Sequence, residues 1–173
     1  MSTSRTADAG PAAPDGRGGS SVDRVLAEAA RLGLDVAVVR LDESTRTAAE
    51  AARACGCGVD QIVKSIVFRV AGSDRHVLFL TCGGAQVDPA RASVLAGAAL
   101  EKADAAGIRA FTGFAIGGVS PIGHLSPIEV WMDPELFRFP TIWAAAGSPN
   151  HVFSVAPEPL RAATHATVAP FTA

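Results

Sequence analysis

Apolar positions at Val22, Val25, Leu26, Ala29 and Ala30 fall at helical spacing, and Gly33 stands where such a helix would stop. Val36 to Leu41 then reads as a strand. Thr47-Ala48-Ala49-Glu50 carries the capping-box pattern, with Thr47 as N-cap and Glu50 three residues on. The alanine-rich helix it opens should end at Gly56 or Gly58. From Ile62 to Val70 the chain is β-branched and apolar, as in a buried strand, with Lys64 and Ser65 interrupting the run. Val77 to Thr81 is its predicted partner across a turn at Gly72-Ser73-Asp74. Asp88-Pro89 supplies a cap and a first-turn proline for a further helix. Short strands at Ile128 to Met132, Thr141 to Ala145 and Val152 to Ser154 alternate with Gly/Pro turns, and Pro157 to Ala163 reads as a last short helix. Most connections are too short for repeated βαβ crossovers. The pattern therefore predicts an α/β chain of the α+β type: a mixed, largely antiparallel sheet or partial barrel flanked by helices.

Residues 1–20 hold almost no large apolar side chain and cannot bury enough surface to offset chain entropy, so a disordered tail is expected there and one folded domain over 21–173. With 49% hydrophobic and 18% charged residues, 173 residues suffice for a single core. The formal net charge of -2 argues against a protein that coats duplex nucleic acid, which needs a basic face. Any nucleic-acid contact should be local, such as a grip on one end of an RNA, with Lys64, Arg69 and Arg46 as the basic residues to supply it. Three cysteines, Cys55, Cys57 and Cys82, do not make a secreted disulfide scaffold, and one C-x-C pair lacks the second pair a structural zinc site needs. They read as small, half-buried residues at a helix end, and no metal is expected. No run reaches the 18 apolar residues of a membrane span and no apolar stretch follows Arg5 or Arg17, so no membrane association and a cytoplasmic location are the expectation.

Lys64 stands out because lysine is rarely buried without a partner, although a buried stem with its head in water would look the same. Gly113 to His124 packs four glycines and Pro121 into a loop able to offer backbone N–H groups to an anion or a carbonyl oxygen; a tight surface turn is the plainer reading. Ala146 to His151 is a second Gly/Pro turn, in which Asn150 and His151 are either substrate contacts or satisfied turn residues. Ser65 follows Lys64 directly, and neighbours on a strand point to opposite faces, which disfavours a Ser-Lys dyad.

In order along the chain, Ser44 to Ala52 (STRTAAEAA), Gln61 to Phe68 (QIVKSIVF), Ala103-Asp104, Thr112 to His124 (TGFAIGGVSPIGH) and Ala144 to Asn150 (AAAGSPN) resemble the YbaK family, also called the prolyl-tRNA deacylase-associated domain. Each motif is short, but the ordered set over roughly residues 36–165 is specific. The resemblance implies a free-standing aminoacyl-tRNA deacylase that hydrolyses the ester of mischarged tRNA, of the Cys, Ala or Pro type, with no cofactor. It aligns the family lysine with Lys64 and the family G-x-x-x-P loop with Gly117 to Pro121. Lys64, Gly117 and Gly118 are then the expected catalytic groups. Thr45, Arg46, Ser65, Ser120, Pro121, Gly123, Gly147, Ser148 and Asn150 are the expected substrate contacts. The implied partner is the acceptor end of a mischarged tRNA, with prolyl-tRNA synthetase or an elongation factor as a candidate deliverer. The chain has no tyrosine, which some subfamilies carry near the pocket, so the amino acid cleared stays open. The alternative is a non-catalytic module that binds aminoacyl-tRNA or an amino acid.

Overall fold

The computed structural model describes residues 20–42 and 45–173. All but the last residue of the expected tail, 1–20, lies outside the described residues, as does Ser44 of the first family motif. Ser20 belongs to the folded part. Its Oγ accepts the Asp23 N–H at 3.1 Å while the Asp23 carboxylate accepts the Ser20 N–H at 3.1 Å, a full capping box for helix α1 (Ser21–Arg31). Helix α2 (Ala48–Cys55) is capped by Thr47 as predicted, its Oγ1 accepting the Glu50 N–H at 3.1 Å. The return half of that box is different: the Glu50 carboxylate accepts from the Arg46 N–H at 2.8 Å.

The predicted runs appear as β1 (Ala37–Arg40), β2 (Val63–Val70), β3 (His76–Cys82), α3 (Pro89–Ala96), β5 (Glu129–Met132), β6 (Ile142–Ser148), β7 (His151–Val155) and α5 (Pro157–Thr164). Three elements have no counterpart in the sequence reading: β4 (Leu100–Lys102), α4 (Ala105–Thr112) and β8 (Thr167–Val168). The two strands are short, and α4 holds a glycine, which costs about 1 kcal/mol in a helix interior. Tertiary packing explains that glycine. A Cβ on Gly107 would sit 2.9 Å from Oδ1 of the Asp104 cap and 3.2 Å from Nε2 of His76.

Two sheets form, in the orders β4-β2-β3-β5-β8 and β1-β7-β6, and they do not close into a barrel. Antiparallel ladders predominate, as expected, but β3/β5 and β5/β8 are parallel. The β3–β5 connection, residues 83–128, is long enough for a crossover because it contains α3, β4 and α4. All seven residues of β3 are buried, which is why its sequence shows no alternation. On one side Leu78, Leu80 and Cys82 join Val63 and Val67 in the main core with Phe114, Phe153, Ile142 and Leu160. On the other, Val77 and Phe79 pack with Trp131, Phe171 and Ala92, the Phe79 and Trp131 rings stacked at 4.9 Å. A single parallel bridge, Ile62 to Trp143, links the two sheets. Cys55 and Cys57 pack around Ala51, Ala52 and Ile62, and burial pushes the Cys55 thiol up to about 11.

Candidate active site

Strand β4 pairs only with Phe68, Arg69 and Val70 of β2, so the first half of β2 has no neighbour strand on that side beyond the Ile62 bridge. The unpaired half forms one wall of a cleft of about 280 Å³ lined by Thr45, Arg46, Val63, Lys64, Ser65, Gly117, Val119, Ser148, Pro149 and His151, among others. Segments from four distant parts of the chain thus meet at the residue that interrupts the apolar run.

Lys64 lies opposite Thr81 on β3 and Ser65 opposite Leu80, so the two side chains leave opposite faces of β2. The Lys64 Nζ donates to the carbonyl oxygen of Ala85, and burial holds its pKa below the ordinary lysine value, opposed by the nearby Cys82 and Asp60. An ammonium has three donors, and this contact occupies one. The hydroxyls of Ser65 and Thr81 are buried and have no hydrogen-bond partner among the described residues. Ser65 lines the cleft, but its hydroxyl oxygen is closed off from solvent.

The Gly/Pro loop divides. Ala115 to Gly118 is a turn closed by the Gly118 N–H donating to the Ala115 carbonyl at 3.0 Å. Gly117, at φ +88°, occupies the position of a type II turn that needs a positive φ. The expectation for Gly118 is corrected: its N–H is spent inside the turn and cannot serve an oxyanion in this conformation. Gly118 is needed for space instead, since a Cβ there would lie 2.8 Å from the Ser148 Cα. The exposed Gly117 N–H makes no hydrogen bond to any described residue. Beyond Val119 the loop turns away. Ser120 is fully buried, its Oγ accepting the Ile122 N–H at 3.2 Å. Pro121 and Gly123 line a separate cleft between α1 and α5, together with His124. The structure therefore brings Thr45, Arg46, Lys64, Ser65, Gly117 and Ser148 together, and puts Ser120, Pro121 and Gly123 elsewhere.

In the second turn, Ser148 Oγ lies 2.8 Å from Asn150 Oδ1 and 2.5 Å from His151 Nδ1, and accepts the Asn150 N–H at 3.3 Å. A hydroxyl has one proton. With Asn150 Oδ1 taking it, His151 must donate from Nδ1, which leaves the Nε2 lone pair open. Asn150 thus orients Ser148 from behind the cleft, and Gly147 packs on the Ser21 carbonyl at the start of α1.

Sequence reasoning missed Arg24. Its Nε donates to the Gly123 carbonyl at 2.7 Å, its Nη2 to the Gly113 carbonyl at 2.9 Å, and its guanidinium lies 4.5 Å from the Phe114 ring centroid. One side chain on α1 thereby ties both ends of the loop, and nothing local in the sequence marks it. Arg24→Met should lower stability by about 2–3 kcal/mol, the scale of losing charge-assisted bonds to buried carbonyls. Equilibrium denaturation checks this; an unchanged midpoint contradicts it.

The aminoacyl-tRNA editing domain model matches residues 42–163. A curated relative, the uncharacterized protein YwhH of Bacillus subtilis (strain 168), is 32% identical over 123 residues, covering 71% of this chain and 78% of its own. A crystal structure of a protein provisionally described as a trans-editing enzyme for prolyl tRNA synthetase is 42% identical, with a TM-score of 0.83 over 88% of this chain and 97% of that one. The hypothetical protein APE2540 superposes with a TM-score of 0.80 at 25% identity, over 87% of this chain and 99% of that one. With its match spanning most of the domain, and with Lys64 and Gly117 facing one cleft, the chain belongs to the aminoacyl-tRNA editing domain family, the YbaK family that its ordered motifs resemble.

Proposed function

We propose that the protein is a trans-acting aminoacyl-tRNA deacylase that hydrolyses the ester of mischarged tRNA, with Cys-, Ala- and Pro-type esters as the leading substrates. The observation that carries this reading is the convergence of Lys64, Gly117, Ser148 and Arg46 on one small cleft in a chain of the editing family. An aminoacyl ester is already activated, so a modest gain suffices. The Gly117 N–H would meet the carbonyl oxygen as charge develops on it, and one such donor is worth roughly 2.7–4 kcal/mol. The Lys64 ammonium would hold the terminal ribose or the carbonyl through a charge-assisted bond worth about 1.5–3 kcal/mol. Water attacks the carbonyl carbon, aided by the neighbouring hydroxyl of the tRNA's terminal ribose. The C–O bond to the ribose then breaks, and the released alkoxide takes a proton. Ser148 and Thr45 supply polar contacts for the amino-acid end, while Val63, Val119 and Pro149 limit its size.

The test is release of free amino acid from a panel of mischarged tRNAs. Rapid release from one or two members is expected. Tight binding of charged tRNA with no release from any would instead favour the non-catalytic module. Gly118→Ala gives a narrower check. Its Cβ must push the Ser148 backbone away, so release should fall at least about tenfold, with stability reduced by about 1–3 kcal/mol as in other overpacked sites. Wild-type rates in a folded Gly118→Ala protein would contradict this account of the loop.

A further inference from the structure

Ion pairs occupy six of the arginines of this acidic chain. Among the described residues Arg31, Arg69, Arg75, Arg91, Arg138 and Arg161 each meet a carboxylate, and Arg24 is spent on two carbonyls. Arg40, Arg46 and Arg53 meet no described carboxylate and are exposed, and all three line one open cleft of about 940 Å³ between β1 and α2. Asp42 and Glu50 also line it, so arginines outnumber carboxylates in the lining, and the Glu50 carboxylate is held in place by the Arg46 backbone N–H. Thr45 and Arg46 line this cleft and the Lys64 cleft alike, so the two are continuous. The cleft between α1 and α5 shares no lining residue with the Lys64 cleft.

We propose that Arg40, Arg46 and Arg53 form a phosphodiester-binding ledge that receives the single-stranded RNA leading away from the ester held at Lys64. The inference rests on the deacylase reading for the direction of the strand. The charge pattern is independent of it: in a chain of net charge -2, three guanidinium groups that meet no described carboxylate gather where the small cleft opens out. Guanidinium groups match phosphate geometry with paired donors and stay charged at any working pH. A strand whose terminal ribose sits at Lys64 must leave past Thr45 and Arg46, and the next charges it meets are Arg40 and Arg53. The arrangement also corrects one expectation: Arg69, expected as an RNA contact, is paired with Glu101 at the far end of β2.

The experiment measures binding of a fluorescent single-stranded oligoribonucleotide ending in CCA, and of uncharged tRNA, across a salt series. It compares wild type, Arg40→Gln/Arg53→Gln, and Arg138→Gln as a paired-arginine control, each checked by thermal melting. The double variant should bind at least about tenfold more weakly, and its slope of log affinity against log salt should fall by about 1.4, near 0.7 for each phosphate contact removed. The control should bind as wild type does. Arg53→Glu alone should weaken binding further than Arg53→Gln, which keeps the test open if the double variant misfolds. Wild-type affinity and slope in the double variant would overturn the proposal, as would absence of RNA binding by the wild type. Equal competition by polyglutamate would reassign the ledge to an acidic protein partner and overturn it too. RNA binding that depends on Arg40 and Arg53, without any amino-acid release, would refute the deacylase reading and leave the ledge standing. Release by wild type with RNA binding indifferent to these arginines would do the reverse.

Discussion

Lys64→Ala should reduce amino-acid release from mischarged tRNA at least about 10²-fold, while the protein still folds. Two physical effects set the size of the loss. The ammonium contributes a charge-assisted bond worth about 1.5–3 kcal/mol, and a role at the developing oxyanion adds a similar amount in the transition state. The structural cost is small by comparison. Lys64 is only half buried, and among the described residues its ammonium makes one hydrogen bond, to the Ala85 carbonyl, which loop movement can return to water. A loss of about 1 kcal/mol, or roughly 2–4 °C in melting temperature, is expected for a chain of this length. The pH profile gives an independent reading. Burial lowers the Lys64 pKa, so its charge is lost at a lower pH than for a free lysine. Release corrected for base hydrolysis should hold on the acid side and fall as pH rises through that lowered pKa. Near-wild-type release by a folded Lys64→Ala protein would refute the mechanism, and an alkaline fall no earlier than that of free lysine would contradict the assigned protonation state.

The second large effect is on stability rather than rate, and it comes from His124. The ring lies T-shaped against Phe114 at 5.8 Å between centroids, and its Nε2 donates to the Ser120 carbonyl at 2.6 Å. Burial drives its pKa from 6.5 down to about 4, against a smaller upward pull from the Ser120 carbonyl; Arg24 adds to the depression and Glu28 opposes it. Because the folded pKa is lower, the unfolded chain binds a proton between pH 6.5 and about 4 that the folded chain does not. Stability attributable to His124 is therefore intact above pH 6.5, declines as pH falls through that window, and levels off below about 4. The full loss is at most about 3 kcal/mol, since each tenfold change in proton affinity is worth about 1.4 kcal/mol. His124→Gln keeps a donor for the Ser120 carbonyl and removes the titration. Urea denaturation at several pH values between 7.5 and 4 should give a distinctly flatter acid limb for the variant. Parallel curves for the two proteins would show that His124 is not the group responsible. His124 lies in the loop but lines the cleft behind it, so the acid sensitivity belongs to the scaffold of Gly117 rather than to the chemistry.

Much of this was legible in the chain because the signals were local. Thr47 and Asp88 cap the helices they precede, Gly56 ends α2, and all but the first residue of the run from Ile62 to Val70 is strand β2. Lys64 could be singled out because a charge inside a β-branched run has to be explained by its surroundings. The resemblance of five ordered segments then linked it with the two Gly/Pro turns. Where the reading failed, the cause was a contact with a distant residue. Gly107 argues against a helix on propensity alone, and it is the His76 ring across the fold, beside the helix's own Asp104 cap, that leaves no room for a side chain there. The parallel β3/β5 pair joins residues 77–80 to 129–132, a pairing no short window contains. Gly118 looked like an anion donor because glycine patterns do not reveal which N–H groups a turn has already used.

By itself the sequence determined the longer helices and strands, the interrupting lysine and the family. These rest on periodicity, on caps a few residues wide and on motif order, all of which act over short stretches of chain. Tertiary structure decided which half of the Gly113–His124 loop faces Lys64, that Arg24 ties the loop from a helix, and that Arg40, Arg46 and Arg53 share one cleft without meeting a described carboxylate. Those outcomes depend on which side chains meet across the two sheets, and burial, charge pairing and cleft shape exist only once they have met.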